Sequence, residues 1–328
     1  MALPFSTPMG VNFSSFYQTN KISNATAVAN INATGVKPVK MFNYDETGFF
    51  ALAKGLQLIP GVPNGDLAKL AANDAATLKK IVTALKPYAS QIVAIMVGNE
   101  PLIDDALAPI YGPQLGPALT NLNAALKKAG INTLLSVPFN SGIQSNAWPP
   151  SEGKFASKHN EYLKPVCAFL KSTNSFFTIN LYPYYAHIMD MQNCPLDYCL
   201  FTKTTPQFTD PNTKLPYYNI YDAMFDAAIT ALKNLGYGNL PMVVGETGWP
   251  TAGGTDASDD NAKIFNQNLI KHVKSGKGTP AHTKTVLQTF LFEMYDENKK
   301  TGNPIEPHWG VYKNTSGNNY APKYNLNW

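Results

Sequence analysis

The chain has 328 residues, 44% of them hydrophobic and 15% charged, enough apolar content for a large buried core. One α/β barrel accounts for the whole length, so a single domain over residues 1–328 is expected. The formal net charge is +4, yet all 26 basic residues are lysines. Arginine, the preferred reader of phosphates and guanine edges, is absent, which argues against nucleic acid and phosphorylated substrates as partners.

Met1-Ala2-Leu3-Pro4 does not form a signal peptide and reads as a short start on a processed chain; a secreted location is expected. Short apolar runs then alternate with longer amphipathic ones. Strands are predicted over residues 9–13, 39–42, 55–59, 92–97, 134–139, 177–181, 242–245 and 286–292. Leu67, Leu70, Ala71, Leu78, Ile81, Val82 and Leu85 recur at three and four and predict one helix closed by Pro87. Leu119, Leu122, Ala125 and Leu126 repeat the spacing before Gly130. Tyr221, Phe225, Ala228, Leu232 and Leu235 do so before Gly236. A further helix starts near Ser258, with Asp259 and Asp260 in its first turn, and stops at Gly276.

Eight such alternations favour a closed (β/α)8 barrel, a parallel sheet wrapped by helices. The alternative is an open doubly wound sheet, but its glycine fingerprint after the first strand is missing. The longest irregular region, 182–219, follows the sixth strand, where long loops shape the active-site face of a barrel. No run is apolar enough for long enough to cross a bilayer, so no membrane partner is expected.

Smaller signals fill in the chain. Asn-X-Ser/Thr sites occur at Asn12, Asn24, Asn32 and Asn314; Asn12 falls inside a strand and is the poorest glycan acceptor. Cys194 and Cys199 flank a short loop, and a local disulfide between them fits an oxidising compartment. Cys167 lies at helical spacing among Leu163, Val166 and Leu170 and reads as a small buried hydrophobe.

Chemistry concentrates at two strand ends. Ala94-Ile95-Met96-Val97-Gly98-Asn99-Glu100 and Val243-Val244-Gly245-Glu246 are apolar runs that stop on a glutamate, at the fourth and seventh strands. The C-terminal ends of barrel strands hold the catalytic groups. Two carboxyl groups facing one groove are what cleavage of a glycosidic bond requires. One protonates the leaving oxygen, and the other attacks the anomeric carbon or activates water. Asn99 can hydrogen-bond a sugar hydroxyl, and Trp249, three residues past Glu246, can wall the cleft with an apolar face. Tyr182 and Glu293 also fall at strand ends, and Glu293 is read as a substrate contact.

The segment from Ile179 to Tyr312 resembles the plant-type β-1,3-glucanases of glycoside hydrolase family 17. The matching stretches are Asn180-Leu181-Tyr182-Pro183-Tyr184-Tyr185-Ala186, Gly245-Glu246-Thr247-Gly248-Trp249-Pro250 and Glu293-Met294-Tyr295-Asp296-Glu297-Asn298-Lys299-Lys300. Val97-Gly98-Asn99-Glu100 resembles the family's acid-bearing strand. The resemblance covers nearly the whole chain and is weakest before residue 90. It implies that Glu246 is the nucleophile, Glu100 the general acid/base, and that hydrolysis retains configuration. It implies that Tyr182 contacts the sugar near the nucleophile and that Glu297, Lys300 and Glu306 line the cleft. It further implies linear β-1,3-glucan, such as laminarin or callose, as the substrate. No metal or organic cofactor is called for, and a monomer is expected.

The chain departs from that pattern in places. Lys40-Met41-Phe42 puts phenylalanine where the family's second strand usually ends in tyrosine, so Phe42 lacks a hydroxyl near the cleavage point. His308-Trp309-Gly310 stands where a Phe-Gly pair is usual. Plainer readings compete as well. Glu297 and Lys300 are also an ordinary i,i+3 surface pair. Lys40 and Lys300 could be Schiff-base lysines, but nothing nearby suggests a carbonyl substrate. Tyr184, Tyr185, Tyr217 and Tyr218 read as loop packing. The rival functions are a β-1,3-glucan transglycosylase, which passes the same intermediate to a second sugar chain, and a non-catalytic β-glucan-binding protein.

Overall fold

The structure, a computed structural model, describes residues 3–314 and 320–328. Met1 and Ala2 of the predicted start, and the residues completing the Asn314 sequon, lie outside the described residues. Eight parallel strands close into a barrel. They are β1 (Met9–Phe13), β2 (Pro38–Met41), β3 (Gln57–Ile59, resuming as Gly61–Val62), β4 (Ala94–Val97), β5 (Leu134–Ser136, resuming as Pro138–Asn140), β6 (Phe177–Asn180), β7 (Met242–Thr247) and β8 (Thr289–Leu291). Pairing follows chain order around the ring. β8 returns to β1 through Met9–Thr289, Gly10–Phe290 and Val11–Leu291, which closes the circle. The break in β3 falls at Pro60, which has no N–H to give the ladder.

The described residues form ten α-helices: α1 (Asn24–Ala33), α2 (Thr47–Leu52), α3 (Leu67–Ala71), α4 (Ala75–Leu85), α5 (Ala108–Lys128), α6 (Asn160–Ser172), α7 (Pro183–Met189), α8 (Leu196–Cys199), α9 (Ile220–Asn234) and α10 (Asp259–Lys274). The single helix expected over 67–85 is two. Asn73 turns left-handed at φ 56°, and the Asp74 side chain accepts from Thr77 N to start α4 afresh. Helix α10 starts as its signals predict: Ser258 accepts from Asn261 N, and Gly276 sits past the end at φ 65°. No α-helix follows β8 among the described residues. The C-terminal segment instead runs along α10, with Asn266 donating to the Tyr324 hydroxyl and Lys274 to Trp328 O. The long 182–219 region holds α7, α8 and a short antiparallel ladder, Phe208–Thr209 on Pro216–Tyr217. No described helix is long and apolar enough to cross a membrane.

The expected Cys194–Cys199 disulfide is absent; all three cysteines are free thiols. The one-turn helix α8 directs the Cys199 thiol at the Cys194 backbone carbonyl, 3.4 Å away, instead of at its sulfur. Burial pushes the Cys194 thiol up to about 11, so it is a poor thiolate source.

The core has two layers. A large apolar cluster running from Met9 to Tyr324 fills the space between strands and helices. A small one, Ile59, Ala94, Met96, Phe176, Val243 and Phe290, fills the lower barrel interior. Phe5 plugs it from beneath, edge-on to Phe176 at 5.5 Å and to Phe290 at 5.6 Å. Higher in the barrel the filling turns polar: Ser136 and Thr178 share a hydrogen bond of 2.8 Å, and Asn12 and Lys40 are buried. The barrel is therefore sealed and apolar at one end and charged at the other. Asn12, fully buried with its amide donating to Gly245 O and Leu291 O, offers no glycan acceptor.

Candidate active site

Glu246 reaches the barrel mouth through a break in strand alternation. Val243 belongs to the interior cluster, and a Cβ at Gly245 would lie 2.7 Å from Thr178 Cγ2, so both face inward. Strict alternation would then send Glu246 outward to the helices. The register instead shifts, from Ile179–Val244 to Asn180–Glu246 on one side and from Val244–Thr289 to Thr247–Leu291 on the other. This irregularity re-aims Glu246 into the interior beside its neighbour. Its Oε1 accepts from Lys40 Nζ at 2.8 Å and its Oε2 from the Tyr182 hydroxyl at 2.8 Å.

Lys40 is itself almost fully buried, an expensive place for an ammonium unless its charge is met. Glu246 meets it; Asn12 Oδ1 accepts from the same nitrogen at 3.3 Å, and the Phe42 ring lies 4.1 Å below it. Phe42 thus presents a π-face to the lysine.

Glu100 arrives by a different device. Gly98 at φ 79° and Glu100 at φ 47° both turn left-handed just past β4, which throws the side chain across the mouth. Its Oε1 accepts from Asn180 Nδ2 at 2.8 Å and Asn140 Nδ2 at 3.4 Å. Burial raises its pKa most, the Glu246 charge adds to that, and the two amides and Lys40 oppose it; the balance is about 7. Asn64 clamps the preceding residue, accepting from Asn99 N and donating to Asn99 O, both at 2.8 Å.

One cleft of about 1170 Å³ opens at this mouth. Asn99, Glu100, Tyr182, Glu246, Glu297, Lys300, Glu306 and Phe42 all border it. Lys300 pairs with Glu297 at 2.6 Å and lies 3.9 Å from Glu306, whose Oε1 accepts from the Tyr185 hydroxyl. Burial alone would lower the Lys300 pKa, but Glu293, Glu297 and Glu306 together hold it above the ordinary lysine value. The surface-pair reading of Glu297 and Lys300 fails here, because Glu297 is buried. Burial, then the Glu246 and Glu100 charges, hold the Tyr182 phenol well above its usual pKa, so it stays a donor.

Two expected contacts do not border the cleft. Trp249 is fully buried, with its indole N–H on Asp256 O and its ring packed on Tyr184 and Phe265. Trp309 takes the wall position instead, 5.1 Å from the Tyr182 ring. Glu293 is buried beneath the floor, with neither carboxyl oxygen hydrogen-bonded; burial and then the Glu297 charge push its pKa well above the usual carboxylate range. Its place just past β8 was legible, but its depth was not.

Four further residues belong to the site: Lys40, which the sequence offers only as a Schiff-base lysine, Asn140 and Asn180, to which it gives no role, and Tyr185, which it assigns to loop packing. All but Tyr185 sit at or near the C-terminal ends of barrel strands, the one signal that could have found them. Among the described residues no group of three or more His, Cys, Asp or Glu side chains converges to hold a metal.

The sequence profile of Glycosyl hydrolases family 17 matches residues 9–328. The chain belongs to this family. It is 36% identical over 299 residues to a glucan endo-1,3-beta-glucosidase of Vitis vinifera, covering 89% of this chain and 85% of that one. It is 34% identical to glucan endo-1,3-beta-glucosidase 4 of Arabidopsis thaliana but spans only 59% of that protein's length. Among solved structures, a β-1,3-glucanase and allergen of Cryptomeria japonica pollen superposes with a TM-score of 0.89 at 30% identity, over 97% of this chain and 98% of that one. The glutamate pair thus sits in a glycoside hydrolase barrel.

Proposed function

We propose that this chain is a retaining endo-β-1,3-glucanase. The observation that carries the reading is the asymmetry of the two carboxyls: Glu100 holds its proton to about pH 7, while Glu246 is locked to an ammonium and a phenol. One environment suits an acid and the other a nucleophile. In the first step Glu100 gives its proton to the leaving glycosidic oxygen as a Glu246 oxygen bonds to the anomeric carbon. In the second, the Glu100 carboxylate takes a proton from water, the water oxygen displaces Glu246, and both groups are restored. Tyr182 and Lys40 hold the nucleophile's orientation throughout.

The names of the relatives support the β-1,3 linkage and internal cleavage, as does a cleft larger than the roughly 300–1,000 Å³ of a typical small-molecule site. We place the enzyme outside the cell, as a monomer, with Asn32 on an exposed turn of α1 as a glycan acceptor; a mass loss on enzymatic deglycosylation of the secreted protein tests this. The main experiment is the product profile on laminarihexaose, with the first-formed anomer read by proton NMR. Short β-anomeric laminari-oligosaccharides support the proposal. Initial α-anomers, or no cleavage, refute it, and products longer than the hexaose mean that a sugar takes the place of water.

A further inference from the structure

On the outer wall of the barrel, between the start of α9 and the last turns of α10, lies a second cavity of about 270 Å³ that shares no residue with the catalytic cleft. Lys203, Lys271 and Lys277 border it, together with Tyr218 and Asn268. Among the described residues no carboxylate lies within ion-pairing distance of Lys271 or Lys277. Lys203 is held at 3.2 Å by Asp197. The carboxylate beneath the floor, Asp222, is buried and already taken by His272 at 2.7 Å and by Asn219 at 2.9 Å. Tyr218, 42% exposed, borders the cavity with these lysines, and the Phe201 ring lies tilted against His272 at 5.5 Å.

We propose that this cavity binds an acidic glycan, a chain of uronic acid residues, through Lys271, Lys277 and the face of Tyr218. Ammonium groups without partners favour an anion, and an exposed tyrosine ring beside them favours a flat, largely C–H surface such as a pyranose face. Inorganic phosphate would leave that ring uncovered, and a neutral glucan would leave the lysines unmet. A uronic acid ring supplies both surfaces in one unit, and the cavity is of a size to take one such ring. The site would hold the enzyme on an acidic matrix while the cleft, on another face, stays free.

The test is calorimetric titration of the intact chain with trigalacturonate at low salt. Laminaritriose and inorganic phosphate are the comparison ligands. Lys271→Glu/Lys277→Glu and Tyr218→Ala are the variants, with melting temperatures to confirm folding. The expected result is saturable binding of trigalacturonate that weakens with added NaCl, falls about tenfold or more in the double lysine variant and several-fold in Tyr218→Ala. Phosphate binding as tight as trigalacturonate, or either variant binding like the wild type, overturns the proposal. These readouts do not depend on glucan hydrolysis, so they stand apart from the proposed activity.

Discussion

Two separable causes raise the pKa of Glu100, and removing one of them has a defined outcome. Burial raises it most and the Glu246 charge second, bringing it from 4.5 to about 7. Keeping the proton over that interval corresponds to about 3 kcal/mol in favour of the neutral acid. Glu246→Gln keeps the shape of the site and deletes the second cause. The burial remains, so the Glu100 midpoint should settle between 4.5 and about 7. The assay is a carbon-13 carboxyl titration of glutamate-labelled protein, wild type against Glu246→Gln, with Glu100→Gln to assign the signal. The wild-type enzyme should also lose kcat/KM on its basic limb near pH 7, as Glu100 sheds its proton. A wild-type midpoint near 4.5, or one that stays put or rises in Glu246→Gln, would refute the account.

Other outcomes follow from the same geometry. Glu246→Ala should lower laminarin turnover by roughly 10⁴-fold or more while laminari-oligosaccharide binding survives, measured by reducing-sugar release and calorimetry; near-normal turnover would sink the nucleophile assignment. Lys40→Met leaves a buried carboxylate without its ammonium, and should cost about 3–5 kcal/mol in a urea melt at pH 7. A loss below 1 kcal/mol would mean that the pair is not load-sharing. Because the folded-state pKa of Glu100 is raised, the native chain binds more protons than the unfolded one between pH 4.5 and about 7, and stability falls across that window. Glu100→Gln should therefore melt higher than wild type at pH 8 and gain less at pH 4.5; an equal gain at both would contradict the raised pKa.

Much of this site was readable in one dimension. Glu100 and Glu246 close apolar runs at the fourth and seventh strands, and a strand's C-terminal tip in a barrel can point only at the mouth or at the helices. Lys40 was harder to place. Within Val39-Lys40-Met41 a lysine looks like a fault in a buried strand, and the counter-charge that explains it, Glu246, lies 206 residues away in the chain. Trp249 was misplaced because nearness in sequence to a catalytic residue carries no direction. The chain turns after Thr247 and the indole packs away from the cleft, while Trp309, from a segment 60 residues later, lines it. The 67–85 helix was overextended because α3 and α4 bury apolar residues in one continuing rhythm, which hides the left-handed turn at Asn73.

Taken alone, the order of residues determined the eight-fold alternation, the helix start near Ser258, and which two acids stand at strand ends. Those features are local: period, capping and punctuation act over a few residues. Tertiary structure decided that Glu246 turns inward at an irregular register, that a buried lysine meets it, and that Glu293 is sealed below without a hydrogen-bond partner. Such outcomes depend on what lies across the barrel, since the charge a buried group carries is fixed by partners hundreds of residues away and by the water its neighbours exclude.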